Sequence, residues 1–150
     1  MQNERALALS LETGIHFSGP LVFALKARMQ DDAQERERCW AEGAALIADR
    51  SVGHSPIGFH RLAIDDALER GEFPRALAHA DALELYTAAE PLPYTDLLIA
   101  RGRALVGLAA NPDDSALAAE LARLRREAER VRWPLRWPDW ALRGSRPVAN

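Results

Sequence analysis

Two histidines that could bind a metal ion or act in catalysis lie six residues apart, at His54 and His60. A metal site needs several converging ligands, such as two histidines four residues apart on a helix or a closed set of cysteines and histidines. The spacing of His54 and His60 and the single Cys39 match neither pattern. The sequence therefore predicts no metal ion and no other cofactor.

A catalytic nucleophile is equally hard to assemble from this sequence. Ser51 and Ser55 flank His54, but Ser55 precedes Pro56 in a pattern typical of the start of a helix. Cys39 adjoins a tryptophan in an apolar helical stripe, which indicates a small core residue. We therefore expect no catalytic residue in this chain.

Arg101 lies on the apolar side of a predicted helix. Because a buried guanidinium needs a partner, we expect an ion pair with Asp65 or Asp66 on a neighbouring helix. The alternative is a small-molecule sensor or an enzyme, in which Arg101 and Arg103 bind a carboxylate or phosphate together with the loop from Arg50 to Arg61.

Three tryptophans lie within eight positions near the end of the chain, at Trp133, Trp137 and Trp140. We expect Trp133 and Trp137 to fold back onto the last two helices as an apolar lid, because helical arrays need capped ends. The alternative is that these rings anchor a second chain. The candidates for binding a partner or ligand are His54, His60, Arg61, Tyr94, Arg101, Arg103, Trp137 and Trp140.

These side chains must be positioned by helices, because apolar residues recur at the helical period between Gly and Pro stops. About seven helices and no strand are predicted, over about 2–13, 20–29, 32–49, 56–70, 73–88, 94–109 and 113–131. Ile15 to Gly19 is predicted to be a loop, and Pro20 then suits a first helical turn. Gly71 is predicted to end a helix in the left-handed conformation. The segment from Trp133 onward cannot continue as a regular helix, because two of its tryptophans precede prolines.

The sequence also predicts which residues of these helices face the core and which cap their N-termini. The expected apolar face of the helix after Pro20 carries Leu21, Val22, Leu25 and Met29. The next helix is expected to pack through Trp40, Ala44 and Ile47. The residues expected to cap helix N-termini are Asp31 or Asp32, Ser55, and the run from Asn111 to Asp113.

Composition excludes several classes of function. The chain has 150 residues, of which 48% are hydrophobic and 27% charged, as in an ordinary folded domain. A net charge of −3 creates no basic field that would attract nucleic acid or an acidic membrane surface. One cysteine forms no intramolecular disulfide, and we find neither a leader nor a membrane-spanning run. We expect a cytoplasmic bacterial protein.

Gly71, Phe73 and Ala76 resemble the middle of a tetratricopeptide repeat, and residues 6–132 resemble a larger arrangement. They are similar to the C-terminal tetratricopeptide-like region of bacterial signalling proteins that carry an ATPase domain and often a nucleotide-cyclase domain. The motifs that carry the resemblance are E-T-G-I at Glu12, S-V-G-H before Pro56, G-F-H-R at Gly58, A-L-E-R-G-E-F around Gly71, L-E-L-Y-T at Leu83, E-P-L-P-Y at Glu90 and I-A-R-G-R-A-L at Ile99. Neither a P-loop nor the acidic metal-binding pattern of a cyclase is present in the sequence.

The resulting prediction is an all-α protein of tetratricopeptide-like stacked antiparallel helix pairs. Residues 1–132 would form the helical-repeat domain, a fragment of a longer array, and residues 133–150 a Trp/Pro-rich tail. The expected role is a non-catalytic protein-interaction or regulatory scaffold module, with a protein or another domain of a parent chain as its partner. The second alternative, after the sensor or enzyme, is a homodimerisation module.

Overall fold

The computed structural model describes residues 5, 14–50, 53–138, 140 and 141, with the backbone alone at Arg50. Over these residues the chain is all-α, as predicted, with six helices and no strand. The predicted helix at 2–13 lies outside the described residues, apart from Arg5. The helices are α1 (Ile15–Arg28), α2 (Ala33–Arg50), α3 (Ser55–Arg70), α4 (Phe73–Thr87), α5 (Pro93–Ala110) and α6 (Ser115–Arg130).

The chain divides into two compact units, Met1–Ala63 and Ile64–Asn150. Unit 1 contains α1, α2 and the first half of α3, and unit 2 contains the rest of α3, α4, α5, α6 and the tryptophan-rich tail. Within unit 1, α1 packs on α2; within unit 2, α5 packs on both α4 and α6. None of the described helices combines the length and apolar character needed to cross a bilayer.

The predicted loop from Ile15 to Gly19 is wrong, because α1 begins at Ile15. Gly14 precedes it with a left-handed φ of 114°, so the turn into the helix falls one residue before the predicted loop. Pro20 lies inside the helix, which its fixed φ permits at the loss of one hydrogen bond. A Cβ on Gly19 would lie 2.8 Å from Leu46 Cδ1, so glycine allows α1 and α2 to approach closely.

Three members of the apolar face predicted for α1, Leu21, Leu25 and Met29, are turned outward rather than into the core, and the fourth, Val22, is half-buried. Phe17 and Met29 are 73% and 71% exposed, and Leu21 and Leu25 are also exposed. The buried face consists instead of small residues and a proline, which is why the two helices can pack closely: Gly19, Pro20, Ala24 and Ala27.

In α2 the Asp32 cap is confirmed, since Asp32 Oδ1 accepts a hydrogen bond of 2.7 Å from Glu35 N. The predicted inward position of Ala44 is wrong, because Ala44 is exposed and Gly43 is buried. A Cβ on Gly43 would lie 2.5 Å from Phe59 Cε2, so only glycine leaves room for the Phe59 ring at this position. Trp40 and Phe59 meet edge to face at 5.4 Å in the same core, whose buried members are Ala24, Ala27, Cys39, Trp40, Phe59, Leu62 and Ala63.

The local signal predicted for the end of α3 is confirmed, whereas the cap predicted for its beginning is not. Ser55 was expected to cap the helix, but it is the first helical residue and its buried Oγ makes no hydrogen bond to any described residue. At the other end Gly71 adopts φ 74°, as predicted. Glu72 N donates to Ala67 O at 2.8 Å and Gly71 N to Leu68 O at 3.5 Å, a Schellman arrangement that ends α3 and starts α4.

The helices of unit 2 pack through small and branched residues. Ala76 and Ala80 on α4 are completely buried, and α4 packs on α5. The cap of α6 is Asp114, one residue beyond the predicted run, because its side chain accepts from Ala116 N and Leu117 N. The largest apolar side chains fully buried in this unit are Ile64, Leu68, Leu83, Leu98, Leu105 and Leu124.

Candidate functional site

The centre of unit 2 contains a buried cation, Arg101 on α5. Arg101 shares the inward side of α5 with the apolar residues Leu98 and Leu105, so its guanidinium enters the core and is only 1% exposed. Arg101 Nη2 donates a hydrogen bond to Asp65 Oδ1 on α3, which is also buried. The predicted ion pair is confirmed, with Asp65 as the partner.

Two further donors of this guanidinium are buried beneath a tryptophan. Nε and Nη1 of Arg101 have no hydrogen-bond partner within the described ranges. The ring centroid of Trp137 lies 5.7 Å from Arg101 Cζ, within cation–π range. Trp137 thus supplies an electron-rich face to a cation that Asp65 alone satisfies only in part.

Asp66 has a different partner from its neighbour. Arg70, one turn further along α3, donates from Nε to Asp66 Oδ1 at 3.1 Å. Asp66 Oδ2 is buried and accepts no hydrogen bond from the described residues. Adjacent helical positions face different directions, so the two carboxylates cannot both reach Arg101.

Arg103 belongs to a separate, more exposed cluster. Its guanidinium donates to Asp81 Oδ1 at 2.6 Å and to the two carboxylate oxygens of Glu84 at 2.7 and 3.0 Å, linking α5 to α4. These hydrogen bonds lower the pKa of Glu84 and raise that of Arg103. Positions two apart are about 200° apart around a helix, so Arg103 and Arg101 do not converge on one ligand.

The tail after α6 lies against the helices of unit 2. Trp133 meets Tyr94, in the first turn of α5, edge to face at 4.9 Å. Trp140 meets Phe73, at the start of α4, in the same way at 6.3 Å. The residues from Trp133 to Pro138 are not helical, as their prolines predict.

Trp137 also forms a wall of two cavities, each of about 310 Å³. The first is mainly apolar and is lined by Leu108 of α5, Pro112 of the following loop, Ala141 of the tail and four residues of α6, which are Ala118, Leu121, Ala122 and Arg125. The second is bounded by Glu69, Arg136, Trp137, Pro138 and Trp140, and we call it the Trp137–Trp140 cavity. Trp137 and Leu121 border the same cavity, so Trp137, a residue of the predicted lid, lies near α6.

The remaining candidates, His54, His60 and Arg61, belong to unit 1. His54 is exposed in the turn before α3, whereas His60 is buried and meets Phe59 edge to face at 5.4 Å. Burial lowers the pKa of His60 to about 4. Arg61 is half-buried. Residues 51 and 52 lie outside the described residues, so the Arg50–Arg61 loop is described only from Gly53 onward.

Three features of this arrangement escaped prediction from sequence. The cation–π contact of Trp137 with Arg101 and the pairing of Glu69 with Arg136 join residues more than thirty positions apart, which no local pattern reveals. The outward face of α1 was missed because an i, i+4 apolar stripe ordinarily points to the core.

Among the described side chains, no three of His, Cys, Asp and Glu are grouped as metal ligands would be.

Comparison of the chain with protein-family models, with curated proteins and with solved structures finds no match.

Proposed function

We propose that this chain is a non-catalytic helical-repeat module that binds a protein partner, or another domain of a longer parent chain, in bacterial signalling. The observation that carries the proposal is the exposed apolar stripe on α1. Phe17, Leu21, Leu25 and Met29 follow one another at intervals of four residues and are all exposed. Single exposed apolar residues are ordinary, but a continuous row of large ones marks an interaction surface.

The stripe suits a helix as its partner. Phe17 to Met29 spans twelve intervals, or about 18 Å of helix axis, which matches three turns of a docked helix. Helix-in-groove recognition uses anchors spaced three or four residues apart, and the four-residue spacing of this stripe is of that kind. We therefore propose an apolar helix face of the partner domain as the occupant, in the manner of stacked repeats.

Other observations support a non-catalytic role. Cys39 is buried, and burial raises the pKa of its thiol, which keeps the nucleophilic thiolate scarce. Asp65 binds Arg101, and Asp81 with Glu84 binds Arg103, so each guanidinium group already has at least one carboxylate of this chain as its partner. These contacts favour the interaction role over the sensor or enzyme.

The tetratricopeptide-like stacking, the cytoplasmic setting and the ATPase- and cyclase-bearing parent are part of the same proposal, supported by the motif resemblance. The neighbouring sequence of the native reading frame tests the parent directly. An adjoining ATPase or cyclase domain would support it, and a reading frame with neither would contradict it.

The α1 surface is tested by site-specific photocrosslinking in cells. A benzophenone amino acid is placed at Phe17 or Met29, and at the exposed Glu42 of α2 as a matched control. We expect adducts from the two α1 positions that map to one helix of a second protein or parent domain, and that disappear in Leu21→Glu. Adducts between two copies of this chain would instead favour homodimerisation, and adducts no stronger than those of Glu42 would overturn the proposal.

A further inference from the structure

The tail after α6 is attached to the rest of unit 2 mainly by side chains. Among the described residues, its only backbone hydrogen bond to a helix runs from Trp133 N to Ala128 O at 2.9 Å, at the end of α6. The tail can therefore separate from α3, α4 and α5 without breaking a backbone hydrogen bond. Four side-chain contacts hold it there, which are those of Trp133 with Tyr94, Trp137 with Arg101, Trp140 with Phe73 and Arg136 with Glu69.

The middle of the tail is not closely packed on unit 2. Trp137 borders two cavities of about 310 Å³ each, one of them the Trp137–Trp140 cavity. A side chain that borders a void loses the dispersion contacts that neighbouring atoms would have made there. The ion pair of Arg136 with Glu69 adds little, because its side chains are 66% and 36% exposed and solvent screens it. The tail is therefore bound through its rings and can be released.

The residue that joins the tail to α6 has a strained backbone. Arg132 has φ 56° and is the only residue other than glycine with a positive φ in the described part of the chain. The left-handed conformation brings the Cβ of an L-residue too close to a carbonyl oxygen, which disfavours it by about tenfold. Glycine usually takes this position at the end of a helix. Docking of the tail on its own chain thus requires a conformation that Arg132 resists.

We propose that two copies of this chain exchange their tails, so that the tryptophans of each copy bind unit 2 of the other. A second copy is the matching occupant, because its tail presents the same rings in the same order and restores every contact that the first copy releases. The exchange also relieves the strain at Arg132 in both copies. It involves unit 2 alone and does not rest on the α1 surface.

The strength of the exchanged dimer follows from two quantities. A segment on a short linker has an effective concentration on the order of 1 mM near its own binding surface, and a second copy must compete with it. Relief of strain favours the open chain by about tenfold at each of the two Arg132 residues. Together they give a dissociation constant of about 10 µM for the dimer.

The test measures the molar mass of the full chain by light scattering between about 1 and 100 µM, on either side of this constant. We expect mostly monomer at the lowest concentration and mostly dimer at the highest. Arg132→Gly accepts the left-handed conformation without strain and should weaken the dimer about 100-fold. Arg132→Gln, the matched control, loses the same charge but keeps the strain, and should leave the dimer unchanged. A wild-type chain that stays monomeric throughout, or an Arg132→Gly dimer as strong as wild type, would overturn the proposal.

Two further measurements identify the surface that joins the copies. In a Cys39→Ala background, a copy with Glu69→Cys is mixed with a copy with Arg136→Cys, and a short bismaleimide should link the two, as mass spectrometry reads out. Replacing the first copy by Glu42→Cys, at an exposed position of α2, should give far less product. Leu21→Glu should leave the dimer unchanged, whereas loss of the dimer in this variant would show assembly through α1 and overturn tail exchange.

Discussion

Arg101 on α5 and Asp65 on α3 form an ion pair from which solvent is almost completely excluded, with side chains 1% and 6% exposed. Burial makes each partner dependent on the other, because a buried charge that loses its counter-ion keeps its full desolvation penalty. The pair also lies beneath Trp137, so it joins two helices and the tail within unit 2. Loss of one partner should therefore lower the free energy of unfolding more than it does in the exposed ion pairs of Arg103 on the same helix.

Arg101→Met leaves Asp65 buried without its cation and should lower the free energy of unfolding by about 3–5 kcal/mol. The double variant Asp65→Leu/Arg101→Met removes both charges and should recover a large part of that loss. Urea unfolding of the wild type, both single variants and the double variant measures the coupling. Arg103→Met, at a more exposed ion pair, is the control and should lower the free energy of unfolding much less. An Arg101→Met protein as stable as the wild type would contradict burial of the pair.

Removal of the tail after Arg132 should lower the melting temperature and promote aggregation. The shortened chain loses the ring contacts of Trp133 with Tyr94 and of Trp140 with Phe73, and it uncovers Arg101. Thermal melting with light scattering measures both effects. A chain that ends at Ala141 keeps all three tryptophans and serves as the comparison for length. If the chain ending at Arg132 stays monomeric and keeps its melting temperature but no longer binds a partner protein, the tail is an interaction segment and not a lid.

Asp114→Ala should destabilise the protein by about 1 kcal/mol, whereas Asp113→Ala should change stability by less than about 0.5 kcal/mol. Asp114 Oδ1 accepts hydrogen bonds of 2.9 and 3.0 Å from Ala116 N and Leu117 N at the start of α6. The neighbouring Asp113 is exposed and does not cap the helix. Chemical denaturation measures the free energy of unfolding of the two variants. Equal losses of stability would indicate that negative charge near the start of α6, rather than the capping hydrogen bonds, is what stabilises the helix.

His60 should make unfolding depend on pH between about 6.5 and about 4. Burial lowers the pKa of His60 to about 4 in the folded protein, against an ordinary value of 6.5. As pH falls through this window the unfolded chain binds the proton and the folded chain does not, so the free energy of unfolding decreases. The loss is at most about 3 kcal/mol, and below pH 4 this contribution is constant.

Denaturation curves of His60→Gln measured across this pH range should therefore fall less steeply than those of the wild type. His54→Gln removes an imidazole from an exposed turn and is the matched control. Parallel curves for His60→Gln and wild type would show that the folded protein binds the proton as readily as the unfolded chain.

Local signals determined most helix boundaries in this chain. Proline and glycine act on their own backbone and on the next few residues, so α4 at Phe73–Thr87 and α5 at Pro93–Ala110 begin and end close to the predicted positions. The same short range explains the left-handed Gly71. The helical period of the apolar residues also placed Arg101 on the inward face of α5. Because a buried guanidinium needs a partner, this position predicted the ion pair with α3.

Only the tertiary structure decided which side chains meet across helices. The choice of Asp65 over Asp66 depends on the rotation of α3 against α5, and the choice of Gly43 over Ala44 depends on where the Phe59 ring approaches α2. The outward stripe of α1 has the same origin, since close packing of Gly19 on α2 takes precedence over burial of the larger side chains. Such contacts depend on the relative orientation of helices, which a pattern read along one helix does not contain.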